Sequence, residues 1–245
     1  MRTDTGTVRG SSAVWRVLQD ELARAGGTEP HVVDVGGGSG VWAVPLAAAG
    51  CRVTVVEPNP NALATLRRRA EETGVSARIT AIADDTDALG ERIPAGSADL
   101  VLAHGLLEVV DDPAAVVAAL ATAVAPGGAV SLLVANRHAA VLHRALSGRL
   151  GEARRLLASA GGVLEDDGEN LVRRFGTEEL KSLLGAASLD IELLHGDGVV
   201  ADFIGEAESR LFTGEELAEF EAAAAVVPPL RDVATRLHAL ARRPA

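Results

Sequence analysis

The 245-residue chain predicts an α/β fold, doubly wound on a mostly parallel sheet, and three observations carry that prediction. Strand-like apolar runs alternate with helical stretches as far as Ala135. The first run, Val32-Val33-Asp34-Val35, feeds straight into Gly36-Gly37-Gly38-Ser39-Gly40, and the second, Val53-Thr54-Val55-Val56, ends in Glu57. Such alternation covers both faces of a parallel sheet with helices, joins the strands by right-handed crossovers and leaves ligand at their carboxyl ends.

The elements follow in order. Residues 1 to 10 carry Gly, Thr and charge and read as a loose arm. A helix from Ser11 to Ala25 follows, capped by a Ser11 or Ser12 hydroxyl and ended by Gly26-Gly27. The first strand covers 31 to 35 and the next helix 40 to 49, with Pro45 tolerable only near its first turn. A strand at 52–57 leads through Pro58-Asn59-Pro60 into a helix from Asn61 to Thr73. Further strands fit 77–83, 98–104 and 129–135, with a helix at 114–124 between the last two.

From Asn136 to Phe175 the rhythm stops, and a mainly helical insertion is expected over the acceptor side, with an acidic loop at Glu165-Asp166-Asp167-Gly168-Glu169. A helix at 177–186, a strand at 188–195 and an amphipathic helix at 214–226 come next. The alanine-rich final segment from Val233 favours helix by composition. These elements divide into an N-terminal arm and helix (1–30), a ligand-binding core (31–135), the helical insertion (136–175) and a C-terminal part (176–245).

The glycine run turns the chain sharply where only hydrogen fits as a side chain, so a ligand can touch bare backbone. Glu57 lies seventeen residues beyond Gly40, where a neighbouring strand sets a carboxylate against two ribose hydroxyls. A dinucleotide fingerprint needs glycine at the place held here by Val41. The pocket therefore suits a nucleoside rather than a pyrophosphate.

Composition narrows the classes. A net charge of -11 argues against broad electrostatic capture of nucleic acid, and 48% hydrophobic residues suffice for a buried sheet. The single cysteine, Cys51, excludes an internal disulfide and a cysteine-based zinc site and reads as a small core residue. No metal cluster is read. No apolar run approaches membrane-spanning length, so a cytoplasmic protein without a membrane partner is expected. With no Tyr and Trp only at 15 and 42, a platform stacking several bases would be hard to build.

Asp34-x-Gly-x-Gly-x-Gly40 resembles the first motif of class I methyltransferases that use S-adenosylmethionine. His104-Gly105-Leu106-Leu107-Glu108-Val109-Val110-Asp111-Asp112-Pro113, Pro126-Gly127-Gly128 and Asn136-Arg137-His138 are similar to the tRNA 5-carboxymethoxyuridine methyltransferase family. The likeness runs from Thr7 to Pro244 and is strongest between 32 and 143. It implies a seven-stranded Rossmann-like methyltransferase sheet whose last strand, Ala234 to Arg242, is antiparallel, against the helical composition there. It also implies S-adenosylmethionine as cofactor, S-adenosylhomocysteine as product, and tRNA as acceptor.

The resemblance places cofactor contacts on Arg9, Gly36, Gly37, Gly38, Glu57, Asp84, Asp85 and His104. Arg9 suits the methionine carboxylate as a bidentate donor, and Glu57 the ribose. Of Asp84 and Asp85, one accepts from the adenine amino group and the other faces water. No residue is assigned as catalytic: displacement from a sulfonium needs alignment above all, and a base only if the acceptor carries a proton. His104, His138 and His143 are the candidates for that base.

Two departures keep a small-molecule acceptor open beside tRNA. The family's lysine-rich loop is acidic here apart from Arg173 and Arg174, and Gly198 stands where the family's later strand has an arginine. Arg137, Arg144, Arg149, Arg154, Arg155, Arg173 and Arg174 could still line one side of a cleft. A non-catalytic module that binds the cofactor is the third reading. Oligomeric state has no signal in the sequence.

Overall fold

The computed structural model describes residues 12–26, 28–159, 161–164, 173–204 and 210–245. Arg9, Ser11 and the acidic loop at 165–169 lie outside these described residues. In chain order the elements are α1 (Ser12–Ala25), β1 (His31–Val35), α2 (Ala43–Ala48), β2 (Arg52–Val56), α3 (Pro60–Thr73), β3 (Ile79–Ile82) and α4 (Leu89–Arg92). They continue with β4 (Ala98–His104), α5 (Pro113–Ala123), β5 (Val124–Ala135), α6 (Arg137–Leu146), α7 (Leu150–Ala158), α8 (Thr177–Ala186), β6 (Asp190–Asp197), α9 (Gly214–Ala224) and β7 (Arg236–Arg242).

The seven strands form one sheet in the order β3-β2-β1-β4-β5-β7-β6. Strands β1 to β5 pair in parallel, and β7 runs antiparallel to both β5 and β6. The order reverses between β1 and β4, so the carboxyl ends of those two strands open the crevice where such sheets bind ligands.

Strand alternation divides the core. Val33, Val35, Val101 and Val130 face one cluster with Leu120 of α5 and Leu180 and Leu184 of α8. Val32, Val53, Leu100 and Leu102 face the other with Leu18 of α1, Leu46 of α2 and Leu66 of α3. The period of two along each strand thus becomes helices on both sides, with the glycine turn held at the rim.

Several helix ends follow from local chemistry. The Asn59 side chain accepts from Asn61 N–H at 2.9 Å, Pro60 opens α3, and Gly74 ends it at φ 75°. Asp112 likewise accepts from Ala114 N–H at 2.9 Å and Ala115 N–H at 3.1 Å ahead of Pro113.

Three sequence boundaries are corrected. Helix α2 begins at Ala43 rather than Gly40, because Gly36, Gly38 and Gly40 all hold positive φ, which a right-handed helix excludes. Pro45 then falls in the first turn, where a missing N–H costs nothing. Strand β5 begins at Val124 rather than Ala129: Val124 already pairs with Ala98, and a register shift around Pro126-Gly127-Gly128 precedes the Leu100–Ala129 pair. Strand β6 spans Asp190–Asp197 rather than 188–195, since Ser188 at φ 57° is still turning after α8. The final segment is the antiparallel strand β7, as the resemblance implied, its centre from Leu237 to Ala241 buried between two neighbours; tertiary pairing overrides its helical composition. Among the described residues, no helix is long and apolar enough to cross a membrane.

Candidate active site at the glycine turn

The turn after β1 is shaped by what lies beneath it. Gly36 N–H donates to the Val56 carbonyl at 2.8 Å, which ties the tip of β1 to β2. A Cβ on Gly37 would stand 2.5 Å from Asp34 Oδ2 and 2.9 Å from a Val55 methyl, so the Asp34 carboxyl fills the space a side chain would need. Asp34 is 1% exposed and its Oδ2 has no hydrogen-bond partner. Burial, and secondarily the charge of Glu57, push its carboxyl up to about 7.

Glu57 closes the turn from the next strand. Its Oε2 accepts from Gly38 N–H at 3.0 Å and its Oε1 from Asn59 N–H at 2.8 Å. One carboxylate therefore fixes both the glycine backbone and the start of α3, and each oxygen keeps a lone pair for a further donor.

Two adjoining cavities meet here and share Gly36 and Gly105. The larger, about 880 Å³, holds Glu57, Asp84, Asp85, Leu106 and Val109. The smaller, about 530 Å³, holds Gly37, Gly38, His104, Glu108 and Arg236 with an apolar wall of Trp15, Val41, Trp42, Pro45 and Leu133. Of the residues singled out from sequence, Gly36, Gly37, Gly38 and His104 line the smaller cavity and Glu57, Asp84 and Asp85 the larger. The structure thus brings together every one of them that is described.

The two aspartates are engaged differently. Asp84 Oδ2 accepts from Arg92 Nε at 2.7 Å, and that bond holds its carboxyl below the usual range. Asp85 is exposed and uses Oδ1 to accept from Thr86 N–H at 2.6 Å.

His104 ends β4 on the face shared with Leu100 and Leu102. Its Nε2 lies 2.8 Å from Ser131 Oγ, and its ring meets Trp42 edge-on at 4.9 Å between centroids. Trp42 in turn stacks on Trp15 of α1 at 6.3 Å. Burial pulls the imidazole down to about 3, so it is neutral at physiological pH.

The other two histidines proposed as bases are elsewhere. His138, whose N–H donates to the Asn136 cap of α6, lines neither cavity, and His143 lines a separate cavity beside Phe203 and Arg144. The basic residues after Ala135 differ in exposure: Arg144 and Arg174 are buried, Arg149 pairs with Glu152 at the surface, Arg173 donates to the Asp111 carbonyl, and Arg154 and Arg155 are exposed. Glycine at 198 is structural, at φ 74° with a Cβ position 2.5 Å from Thr235 Oγ1; no arginine fits there without rearrangement.

Sequence reasoning gave no site role to Asp34, Glu108, Trp15, Trp42 or Arg236. Glu108 is 3% exposed; its Oε1 accepts from Ala135 N–H at 2.6 Å, its Oε2 has no partner, and burial raises its carboxyl. Its position four residues after His104, inside a quoted motif, was the available signal. Arg236 opens β7 and donates to Asp197 Oδ2 at 2.8 Å; its strand is far away in sequence, and nothing local announced it.

A Methyltransferase domain family matches residues 12–194 of the chain. The tRNA 5-carboxymethoxyuridine methyltransferase of Escherichia coli is 30% identical over 146 residues, covering 58% of this chain and 56% of that protein. The ubiquinone biosynthesis O-methyltransferase of Ralstonia nicotianae is 40% identical over 109 residues, 44% of each chain. The chain thus spans about half the length of these curated relatives. Among solved structures, the geranyl diphosphate C-methyltransferase of Streptomyces coelicolor, held with Mg2+, geranyl-S-thiolodiphosphate and S-adenosyl-L-homocysteine, superposes with a TM-score of 0.64 at 18% identity, over 95% of this chain and 76% of that one. At that identity the likeness speaks for the fold alone.

Proposed function

The chain belongs to the methyltransferase domain family, and on that premise we propose that it transfers a methyl group from S-adenosylmethionine to an oxygen or nitrogen of a small molecule with an apolar body. The observation that carries this reading is the pair of cavities meeting at Gly36 and Gly105, one lined by carboxylates and the other by apolar side chains. The bare backbone of Gly36, Gly37 and Gly38 along the cavity wall fits a ligand lying against the turn.

When bound, S-adenosylmethionine supplies an electrophilic methyl on sulfur. Glu57 accepts from the ribose hydroxyls, and Asp84 or Asp85 from the adenine amino group. The glycines admit the methionine portion, whose carboxylate Arg9 would pair with. Trp15, Trp42 and Leu133 hold the acceptor and exclude water, so alignment supplies most of the acceleration. A neutral His104 imidazole at the junction can accept a proton from a hydroxyl or amine.

A second reading, methylation of the carboxylate of a tRNA wobble 5-carboxymethoxyuridine, is favoured by the 146-residue likeness and by Asn136-Arg137-His138. The net charge of -11 and the burial of Arg144 and Arg174 support the small-molecule reading instead, since phosphate binding draws on accessible cations. Incubation with methyl-labelled S-adenosylmethionine, bulk tRNA and, in parallel, a pool of catechols, phenols and amines tests both. Label in the small-molecule pool is expected. Label in RNA at low salt would favour the second reading, and tight cofactor binding with no transfer to either would leave a binding module.

A further inference from the structure

Four polar side chains run across the sheet from the smaller cavity to its far edge. Strand register sets His104 beside Leu133, Leu133 beside His238, and His238 beside His195, with Ser131 one step back on β5. The contacts are continuous: His104 Nε2 to Ser131 Oγ at 2.8 Å, Ser131 Oγ to His238 Nε2 at 2.8 Å, and His238 Nδ1 to His195 Nε2 at 2.9 Å. Ser131 and His238 have no exposed surface, His195 is 4% exposed, and β6, which carries it, is an edge strand. His104 lines the smaller cavity, and its Nδ1 is buried with no hydrogen-bond partner among the described residues.

Hydrogen counting constrains this row. Each neutral imidazole has one N–H and serine one O–H, so four hydrogens serve three contacts. Only two arrangements let the Ser131 hydroxyl both donate and accept. In one, His104 carries hydrogen on Nε2, leaving Nδ1 as a bare acceptor, and His195 carries it on Nδ1. In the other every donor is reversed, and His104 presents Nδ1–H. The two ends are therefore coupled. Burial keeps all three rings neutral, with His104 held down to about 3, His195 to about 4 and His238 well below its ordinary value.

We propose that His104, Ser131, His238 and His195 form a proton relay that carries the acceptor's proton away from the cavity, an inference that rests on the methyltransferase reading above. As the S–CH3 bond breaks and the O–CH3 bond forms, an acceptor hydroxyl gives its proton to His104 Nδ1. The Nε2 proton passes to Ser131 Oγ, the hydroxyl proton to His238 Nε2, and the His238 Nδ1 proton to His195 Nε2; His195 releases its Nδ1 proton to water at the sheet edge. One proton enters, one leaves, and no ring stays charged. His104 would touch the acceptor, and the other three would act through it. Glu108 shares the cavity, yet its bound oxygen leads only to the Ala135 N–H. The acceptor class that uses this device is a hydroxyl compound, since a carboxylate has no proton to lose at neutral pH.

Nitrogen-15 NMR of the imidazole tautomers tests it, with phenol as hydroxyl probe and benzoate as acceptor-only probe, each added to protein saturated with S-adenosylhomocysteine. Phenol should fix His104 with a bare Nδ1 and shift His195 to Nδ1–H. Benzoate should shift both rings the opposite way. Ser131→Ala should abolish the response at His195 while His104 still responds, and Ser131→Thr should restore it. A His195 unmoved while His104 responds, a His104 unmoved by either probe, or coupling that survives Ser131→Ala would overturn the relay. Calorimetry with S-adenosylhomocysteine reads the underlying assignment separately: no heat would sink that assignment, whereas full heat with uncoupled tautomers would sink the relay alone.

Discussion

Asp34→Asn should flatten the alkaline side of the protein's stability profile. In the folded protein burial and the Glu57 charge lift the Asp34 carboxyl from 3.8 to about 7, so between those values the native state holds a proton that the unfolded chain has lost. Stability then falls as pH rises through that window and levels off above it. Each pKa unit corresponds to about 1.4 kcal/mol, which gives a loss of roughly 2 to 3 kcal/mol between about pH 5 and about pH 8 from this group alone. Asparagine keeps the shape and cannot ionise. Urea unfolding of both proteins without ligand at the two pH values isolates the difference, because every other titrating group is common to both. Wild-type stability should drop more than that of the variant by that amount. Parallel drops would refute the argument that a protonated carboxyl lies under Gly37.

Glu57→Ala should weaken S-adenosylmethionine binding by about 1 to 3 kcal/mol in calorimetry, the cost of a lost charge-assisted hydrogen bond; unchanged affinity would make the ribose assignment wrong. Gly37→Ala drives a methyl to 2.5 Å from Asp34 Oδ2 and 2.9 Å from Val55, so thermal unfolding should report a loss of about 1 to 3 kcal/mol, and a wild-type melting curve would contradict the packing. On the acid side, burial holds His195 down to about 4, below its unfolded value of 6.5, so stability is complete above 6.5 and declines as pH falls toward 4. His195→Gln should remove roughly 2 kcal/mol of that decline at about pH 5; denaturation curves in acetate that stay parallel to wild type would count against it.

Where local chemistry dominates, the sequence was legible. Apolar runs bounded by turn residues placed β4 at 98–104 and α8 at 177–186 with the bounds later found. The glycine turn and Glu57 announced the place where the two cavities meet because they lie close along the chain. Long-range register was hidden. The His104–Ser131–His238–His195 row exists only because four strands align residues as much as 134 positions apart (238 minus 104), and no window along the chain contains it. Helical composition alone points the wrong way at β7, where the resemblance implied the strand that is found: two neighbouring strands, not its own alanines, decide its state. The basic residues after Ala135 gave a surface charge count but not their internal partners, which fold geometry alone assigns.

The meeting of the two cavities at Gly36 and Gly105 has a consequence for how such a protein can change. On the proposed function, substitutions at Val41, Pro45 or Leu133 would remodel the compartment for the molecule being modified and leave Glu57, Asp84 and Asp85 in place. New chemistry for the cargo can therefore be acquired without relearning how to hold the reagent, and a designer could swap one half while keeping the other as a fixed cartridge.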